Sequence, residues 1–266
     1  MSAKVIYSAV DGILVDQGGC LMRDRSGRIG MACVLALADL LDAGVALVLV
    51  SARARHRASE MACLLGADGF IGEHGAIRGW AGGTAWERLT GATPTRYCGG
   101  PLLRQLERDG LVAGLLARFS PSLHVVALAD SEQESVLLLR GRVDVGVVAE
   151  WLSQQGFGWL RLIDERPLAR AGKRPDSEHL YRLQPQGVST AAAVAADLSR
   201  RGVSPAAATA LCDPQLGLDL ACVVGQIYEI DPSHPEATAT VGPALVDHAA
   251  LRQAGSWAQA VRNALR

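Results

Sequence analysis

The sequence predicts an α/β protein: a doubly wound, Rossmann-like core interrupted by a large inserted α+β domain. Three observations predict it. Strand, helix, strand, helix and strand alternate over about the first eighty residues, the order that builds a parallel sheet with crossover helices. The texture changes at Ala81, where the breakers Gly82-Gly83-Thr84 open a stretch with a different order of elements. The α/β alternation then resumes at Thr190. The expected division is a core made of 1–82 and 186–266, with 83–185 inserted as a cap.

Lys4 to Val10 reads as a buried strand broken at Asp11-Gly12. Asp16-Gln17-Gly18-Gly19 is a turn, and Leu21 to Ile29, with its charges and a Ser-Gly pair, is a loop or flap hairpin. Ala32 to Leu41 is a mostly apolar helix stopped at Ala43-Gly44. Val45 to Val50 is apolar at every position, as a strand covered on both faces requires. A helix runs from about His56 to Leu65, and Gly69 to Ile77 is a short strand and turn. In the insertion, a stretch near Pro101 to Arg118 carries leucines at helical spacing and reads as helical. Ser135–Arg140, Gly158–Ile163 and Glu178–Leu183 are strands, and Val143 to Gln155 is a helix. Trp151 and Trp159 are read as part of the insertion's own core. The core returns with an Ala-rich helix at Thr190–Arg200, a strand at Ala206–Cys212 and a short helix at Leu216–Ala221. A further strand lies within Val223–Ile230.

Composition excludes several classes of function. Apolar residues make up 49% of the chain and charged residues 20%, which describes a packed globule rather than a disordered chain. The formal net charge of −1 gives no general pull on nucleic acid or anionic lipid, so neither is an expected partner. The six cysteines, Cys20, Cys33, Cys63, Cys98, Cys212 and Cys222, show no C-x-x-C spacing and read as buried, reduced thiols. No apolar run reaches the ~18 residues of a membrane span. The N-terminus is a poor signal peptide, and the expected location is cytoplasmic.

The stretch from Lys4 to Asp16 organises the rest. A strand that ends in Asp11-Gly12 places a carboxylate at the C-terminal edge of the sheet, where open α/β sheets keep their sites. The stretch resembles the first motif of the haloacid dehalogenase (HAD) phosphatase superfamily, hydrophobic-Asp-x-Asp-Gly-Thr-hydrophobic. Aligned on Asp11-Gly12, the nucleophile's position holds Ala9 and the threonine's holds Ile13. Val48 to Arg53 resembles the second motif, a hydrophobic strand followed by Ser/Thr-x-Arg. Phe70 to Ala76 resembles a Glu-Asn-Gly-Ala segment with His74 for asparagine. Gly187-Val188-Ser189-Thr190-Ala191 resembles Gly-Val-Ser-Lys-Gly, with Thr190 at the lysine. Ala210 to Leu218 resembles Ile-Gly-Asp-Ser-x-Asn-Asp-Leu; Asp213 matches, and Leu216 and Gly217 replace Asn-Asp. Taken in order, these segments resemble the Cof-type and mannosyl-3-phosphoglycerate phosphatase-like members, whose cap lies between the second and third motifs.

The resemblance implies a phosphatase whose first aspartate attacks phosphorus and forms an aspartyl-phosphate. It implies that the second aspartate, here Asp11, works as acid and base. It implies a magnesium ion held by the nucleophile, a backbone carbonyl and the fourth-motif acid. Ala9 has no nucleophilic atom, Thr190 carries no charge, and Gly217 offers no ligand, so only Asp213 remains as a clear side-chain metal ligand. Ser8 is not a substitute nucleophile, because side chains alternate along a strand and its own points away from that of Ala9. The expectation is therefore a degenerate HAD-fold protein, a pseudophosphatase that binds a ligand or a partner in the core–cap cleft. Gly12, Ser51, Arg53 and Thr190 are its candidate ligand-binding residues. Its expected partners are a small anionic or phosphorylated ligand, or a protein, and no cofactor is expected. Two rival readings remain open. One is an enzyme of non-phosphoryl chemistry that uses Asp11 as acid and base. The other is a weak residual phosphatase on a small phosphorylated metabolite, the only case that calls for magnesium. Simpler roles also stand beside these: Asp11 as a turn residue, Ser51 as a helix cap, Asp213 as a helix-start residue, and His74 and His179 as surface or hydrogen-bonded histidines.

Overall fold

The computed structural model describes residues 5–9, 30–126, 132–167, 178–230, 244–246, 249–254 and 256–266. The positions of Asp11, Gly12 and Ile13, the 16–19 turn, Cys20 and the 21–29 loop lie outside the described residues.

β1 (Val5–Ala9) is buried at all five positions. α1 (Met31–Asp42) ends where Gly44 takes a φ of +64°, the left-handed turn that glycine adopts without strain. β2 (Ala46–Val50), α2 (Arg55–Leu64) and β3 (Gly69–Gly72) follow, and then the hairpin β4 (Ile77–Trp80) and β5 (Ala85–Arg88). The insertion carries α3 (Leu102–Arg108), α4 (Leu111–Arg118), β6 (Leu123–Val125), β7 (Leu137–Gly141), α5 (Val145–Gln154), β8 (Leu160–Pro167) and β9 (His179–Pro185). The chain returns through α6 (Thr190–Arg201), β10 (Ala208–Cys212), α7 (Pro214–Leu220) and β11 (Gln226–Ile230). It closes with β12 (Ala244–Val246), β13 (Ala249–Ala254) and α8 (Trp257–Leu265).

The core unit spans Met1–Arg88 and Ser189–Arg266. Its nine strands lie in the order β12-β13-β11-β10-β1-β2-β3-β4-β5. The six strands from β13 to β3 are mutually parallel. Read from β3, they follow the 3-2-1-4-5-6 order of doubly wound sheets. The central strands are tied to helices by buried polar contacts. The Tyr7 hydroxyl donates to Asp197 Oδ2 of α6 at 2.9 Å, and Arg201 Nε donates to the same oxygen at 2.6 Å. Burial, and then the Asp197 charge, push the Tyr7 hydroxyl far above its ordinary range. On α8, Trp257 Nε1 donates to Ser8 Oγ at 2.8 Å, with both groups buried.

The inserted unit spans Leu89–Val188. Its sheet has the order β6-β7-β9-β8 and is antiparallel throughout. Leucines from α3, α4, β7 and β8 pack with Val148, Leu152 and Tyr181 in one apolar cluster, and Trp151 and Trp159 lie against it. The Asp144 side chain caps α5 by accepting from the amides of Gly146 and Val147.

Four sequence expectations are corrected. The insertion does not begin at residue 83: β5 pairs with β4 in the core sheet, Trp80 level with Ala85 and Ile77 with Arg88. Gly82 and Gly83, at φ of +64° and +88°, form the tight turn of that hairpin rather than a domain boundary. The helical stretch over Pro101–Arg118 is divided into two helices, because Gly110 takes a left-handed φ of +77° between them. Strands β6, β12 and β13 and helix α8 have no counterpart in the sequence reading; β6 and β12 have three residues each, too few to display a period. The cysteines are not uniformly buried: Cys63, Cys98 and Cys222 are exposed thiols and Cys212 is buried. No helix among the described residues is long and apolar enough to cross a membrane.

Candidate functional site

All six parallel strands point the same way, so their C-terminal ends share one edge of the core sheet. The connections reverse direction between β1 and β10, the point at which such sheets open a crevice. Ala9 ends β1 there. It is buried and level with Val50 of β2. On the other side, Ser8 is level with Leu211 of β10. The residues that follow the neighbouring strands, Ser51 after β2 and Asp213 after β10, therefore flank the end of β1. The fold brings positions 9, 51 and 213 to one edge, as the sequence spacing implies.

Each of these side chains also has local work. Ser51 is buried, its amide donates to the Ile71 carbonyl at 2.8 Å, and its Oγ accepts from the Arg53 amide at 3.1 Å. The hydroxyl thus closes a short turn ahead of α2 rather than capping that helix, whose own cap position is Ala54. The Arg53 carbonyl accepts from the Glu73 amide at 3.0 Å, joining the ends of β2 and β3. Asp213 Oδ1 accepts from the Leu216 amide at 3.1 Å and so orders the start of α7. Thr190 is the first residue of α6; the helix is capped by Ser189, whose Oγ accepts from the Ala192 amide at 3.1 Å. Ser8 faces away from Ala9, toward Trp257.

The turn after β3 is the strained part of the edge. Glu73, His74 and Gly75 have φ of +48°, +54° and +92° in succession. Left-handed backbone is uncommon outside glycine, and asparagine, aspartate and histidine tolerate it best. That tolerance explains how His74 stands where the resemblance has asparagine. Glu73 lacks that tolerance, and it is fully buried. Strain of this kind amounts to about 1–3 kcal/mol per residue and collects at functional sites. Gly75 is obligatory: a Cβ there would lie 2.2 Å from the Ser189 carbonyl oxygen and 2.6 Å from the Thr190 nitrogen. The turn is thereby pressed against the start of α6, bringing together two of the segments identified from sequence.

Sequence reasoning missed Glu229. It lies on β11, level with Cys212. A Cβ on Gly217 would sit 3.4 Å from Glu229 Oε1 and 3.3 Å from Ile227 Cγ2. The position that lacks a carboxylate on α7 is thus bordered by one from the adjacent strand. Burial, and then the nearby Asp213 charge, raise the pKa of Glu229 above the usual glutamate value. Burial also pushes the Cys212 thiol well up, helped by Asp213 and Glu229, so that thiol is not a nucleophile. The only hint of Glu229 in the sequence was its place near the C-terminal end of a predicted core strand.

The described side chains do not fit the magnesium centre that the resemblance implies. Magnesium wants near-octahedral oxygen ligation. Position 9 offers a methyl group, position 217 offers no side chain, and one oxygen of Asp213 holds the Leu216 amide. Among the described residues, no three His, Cys, Asp or Glu side chains gather so as to hold a metal ion.

No family model matches the sequence, and no curated protein matches it. Solved structures do match its fold. A haloacid dehalogenase-like hydrolase from Bacteroides thetaiotaomicron is similar over 98% of this chain and 99% of its own, with a TM-score of 0.61 at 14% identity. A second protein from that organism, described among phosphatases of the HAD enzyme superfamily, aligns over 98% of this chain and 94% of its own, with a TM-score of 0.61 at 15% identity. The sucrose-phosphatase of Synechocystis sp. PCC6803, solved with sucrose and phosphate, covers 99% of this chain and 98% of its own, with a TM-score of 0.59 at 14% identity. The chain therefore has the fold of the HAD-like hydrolases, a Rossmann-like α/β core carrying an inserted, antiparallel cap unit.

Proposed function

We propose that this protein is a pseudophosphatase: it keeps the HAD-like fold and uses the C-terminal edge of its core sheet to bind an anionic ligand or a partner without turning it over. One observation carries the reading. The side chain at the end of the central strand, where the resemblance puts the attacking carboxylate, is the methyl of Ala9. A methyl group cannot form the covalent phosphoryl intermediate. Phosphate monoesters are among the slowest biological substrates to hydrolyse uncatalysed, and their enzymes supply accelerations of up to ~10²¹-fold. Removing a nucleophile from a hydrolase of another class lowers kcat by about 10⁶, and losses of groups acting as a unit do not add. Here the neutral Thr190 and the side-chain-free Gly217 remove charge neutralisation and metal ligation as well.

What remains at the edge suits binding. The Ser51 turn is closed by a buried hydroxyl, and the Glu73–Gly75 turn is held in strained backbone against α6. Arg53, half-buried beside Ser51, supplies positive charge for an anion. Asp11 and Gly12 belong to the same proposal and fall outside the described residues. The exposed Cys63, Cys98 and Cys222 thiols accord with a reducing, cytoplasmic location.

Turnover of a panel of sugar phosphates and p-nitrophenyl phosphate, with and without magnesium, tests the reading. The expected result is a rate equal to buffer under all conditions. A rate that survives repurification and falls on Asp11→Asn overturns it.

A further inference from the structure

The inserted unit holds a basic cleft that no motif singled out. It has a volume of about 430 Å³, and its lining includes Arg96, Gly99, Gly100, Arg104, Gln105 and Arg108. Three arginines line it, and among the described residues no carboxylate does. That is an unusual concentration in a chain whose formal net charge is −1. Of the acids in the same segment, Glu107 does not line the cleft, and Asp109 accepts the Tyr97 hydroxyl through Oδ2. No ion pair joins Arg96, Arg104 or Arg108 to an acid among the described residues.

The cleft is built rather than incidental. Arg104 and Arg108 are one turn apart on α3, so both project to one face, where like charges repel. The Arg96 guanidinium lies over the Tyr97 ring, 4.9 Å from its centroid, and Tyr97 is buried. Gln105 Nε2 donates to the carbonyls of Tyr97, at 3.0 Å, and Gly100, at 3.3 Å, fastening the loop to the helix. At Gly99 no described residue lies within 4 Å of where a side chain would begin, so a ligand can approach the backbone there.

We propose that this cleft is a binding site for a small anion of the diphosphate class. Guanidinium forks match phosphate oxygens in geometry and charge. One phosphate group carries a charge of about −1.5 to −2 at neutral pH. Three arginines, with no carboxylate among the described lining residues, therefore suit two linked phosphate groups better than one. The volume falls within the range of small-molecule sites. This inference is independent of the reading of the core edge, because none of its residues belongs to the core unit.

Calorimetric titration of the full chain with pyrophosphate in magnesium-free buffer tests it. Pyrophosphate binds more tightly than inorganic phosphate, and the Arg104→Ala/Arg108→Ala double variant loses affinity at least about tenfold while keeping its circular dichroism spectrum. Arg118→Ala, which removes an arginine lining a different surface cleft, leaves affinity unchanged. ATP binding equal to that of pyrophosphate identifies the diphosphate as the recognised part; tighter ATP binding with the same arginine dependence identifies a nucleotide as its source. The proposal is overturned if pyrophosphate does not bind at millimolar concentration, if the double variant binds it as well as wild type does, or if Arg118→Ala weakens binding equally.

Discussion

Gly75→Ala is expected to be among the most damaging single-methyl additions in the core, and the structure separates its two causes. The first is conformational. At φ of +92°, Gly75 occupies backbone that an L-residue enters at a cost of about 1–2 kcal/mol. The second is steric. The new Cβ would stand 2.2 Å from the Ser189 carbonyl oxygen and 2.3 Å from its carbon, over an ångström inside ordinary contact. Neither atom belongs to a flexible side chain, so either the turn or the start of α6 must move. Overpacking of this kind costs about 1–3 kcal/mol, for a total of about 2–5 kcal/mol. Gly202→Ala, at the other end of α6, provides the control. Its φ is +64° and nothing lies within 4 Å of the added Cβ, so only the conformational cost of about 1–2 kcal/mol applies. At roughly 2–4 °C per kcal/mol for chains of this size class, Gly202→Ala should lower Tm by a few degrees and Gly75→Ala by about 10 °C. Thermal unfolding followed by circular dichroism reads both. Equal losses in the two variants, or a Gly75→Ala Tm unchanged from wild type, would refute the claim that this turn is clamped to α6.

Ser8→Ala leaves the buried Trp257 Nε1 without its acceptor and should cost about 1–3 kcal/mol in urea denaturation, with no change in ligand binding at the sheet edge. Glu229 takes up protons more readily in the folded chain than in the unfolded one, so its contribution to stability is present at low pH. That contribution is lost as pH rises from the ordinary glutamate value through the raised one. Glu229→Gln should therefore stabilise the protein at neutral pH and make little difference in acid, below the ordinary glutamate value; denaturation midpoints under the two conditions check the sign. Ala9→Asp alone should remain inactive, because it sets a carboxylate beside Asp11 with no third-motif cation, and one of the pair stays partly protonated. Only Ala9→Asp combined with Ile13→Thr, Thr190→Lys and Gly217→Asp should show magnesium-dependent hydrolysis. In metal-free buffer this variant should be less stable than wild type, since the carboxylate added at position 217 would crowd Glu229.

The central strands were legible because burial on both faces leaves nothing but apolar residues, as in Val5–Tyr7 and Leu47–Val50. The breakers were legible as breakers, but not in what they break. Gly82-Gly83 closes a hairpin, and Gly110 splits a helix whose leucines at 102, 106, 111 and 115 all enter one core and so disguise the break. The edge positions 9, 51 and 213 could be placed from strand ends alone, because a parallel sheet sends all its C-terminal ends to one side. Glu73 and Glu229 could not be singled out. Glu73 is distinguished by its backbone conformation and full burial, and Glu229 by what stands across from it on another element, and neither property is local in sequence. The basic cleft was hidden for a similar reason: Arg96 joins Arg104 and Arg108 only once Gln105 folds the intervening loop back onto α3.

The strand order also sets a schedule for synthesis. β1 is made before both of its neighbours, yet one of them, β10, pairs Ala208 with Val5 across roughly two hundred positions. At about 5–20 residues per second, a ribosome delivers β10 some 10–40 s after β1. Throughout that interval β1 can pair with β2 on one side while its other edge presents unpaired amides and carbonyls, the template on which chains stick to one another. The insertion is complete before β10 emerges, and among the described residues its four strands pair with each other. A nascent chain therefore passes through a state with a finished cap and a half-sheet core open along its centre. Helix α8, made after β10, supplies the tryptophan that bonds Ser8 of β1. A chain stopped short of residue 208 is expected to keep a folded insertion and to depend on chaperones for the rest.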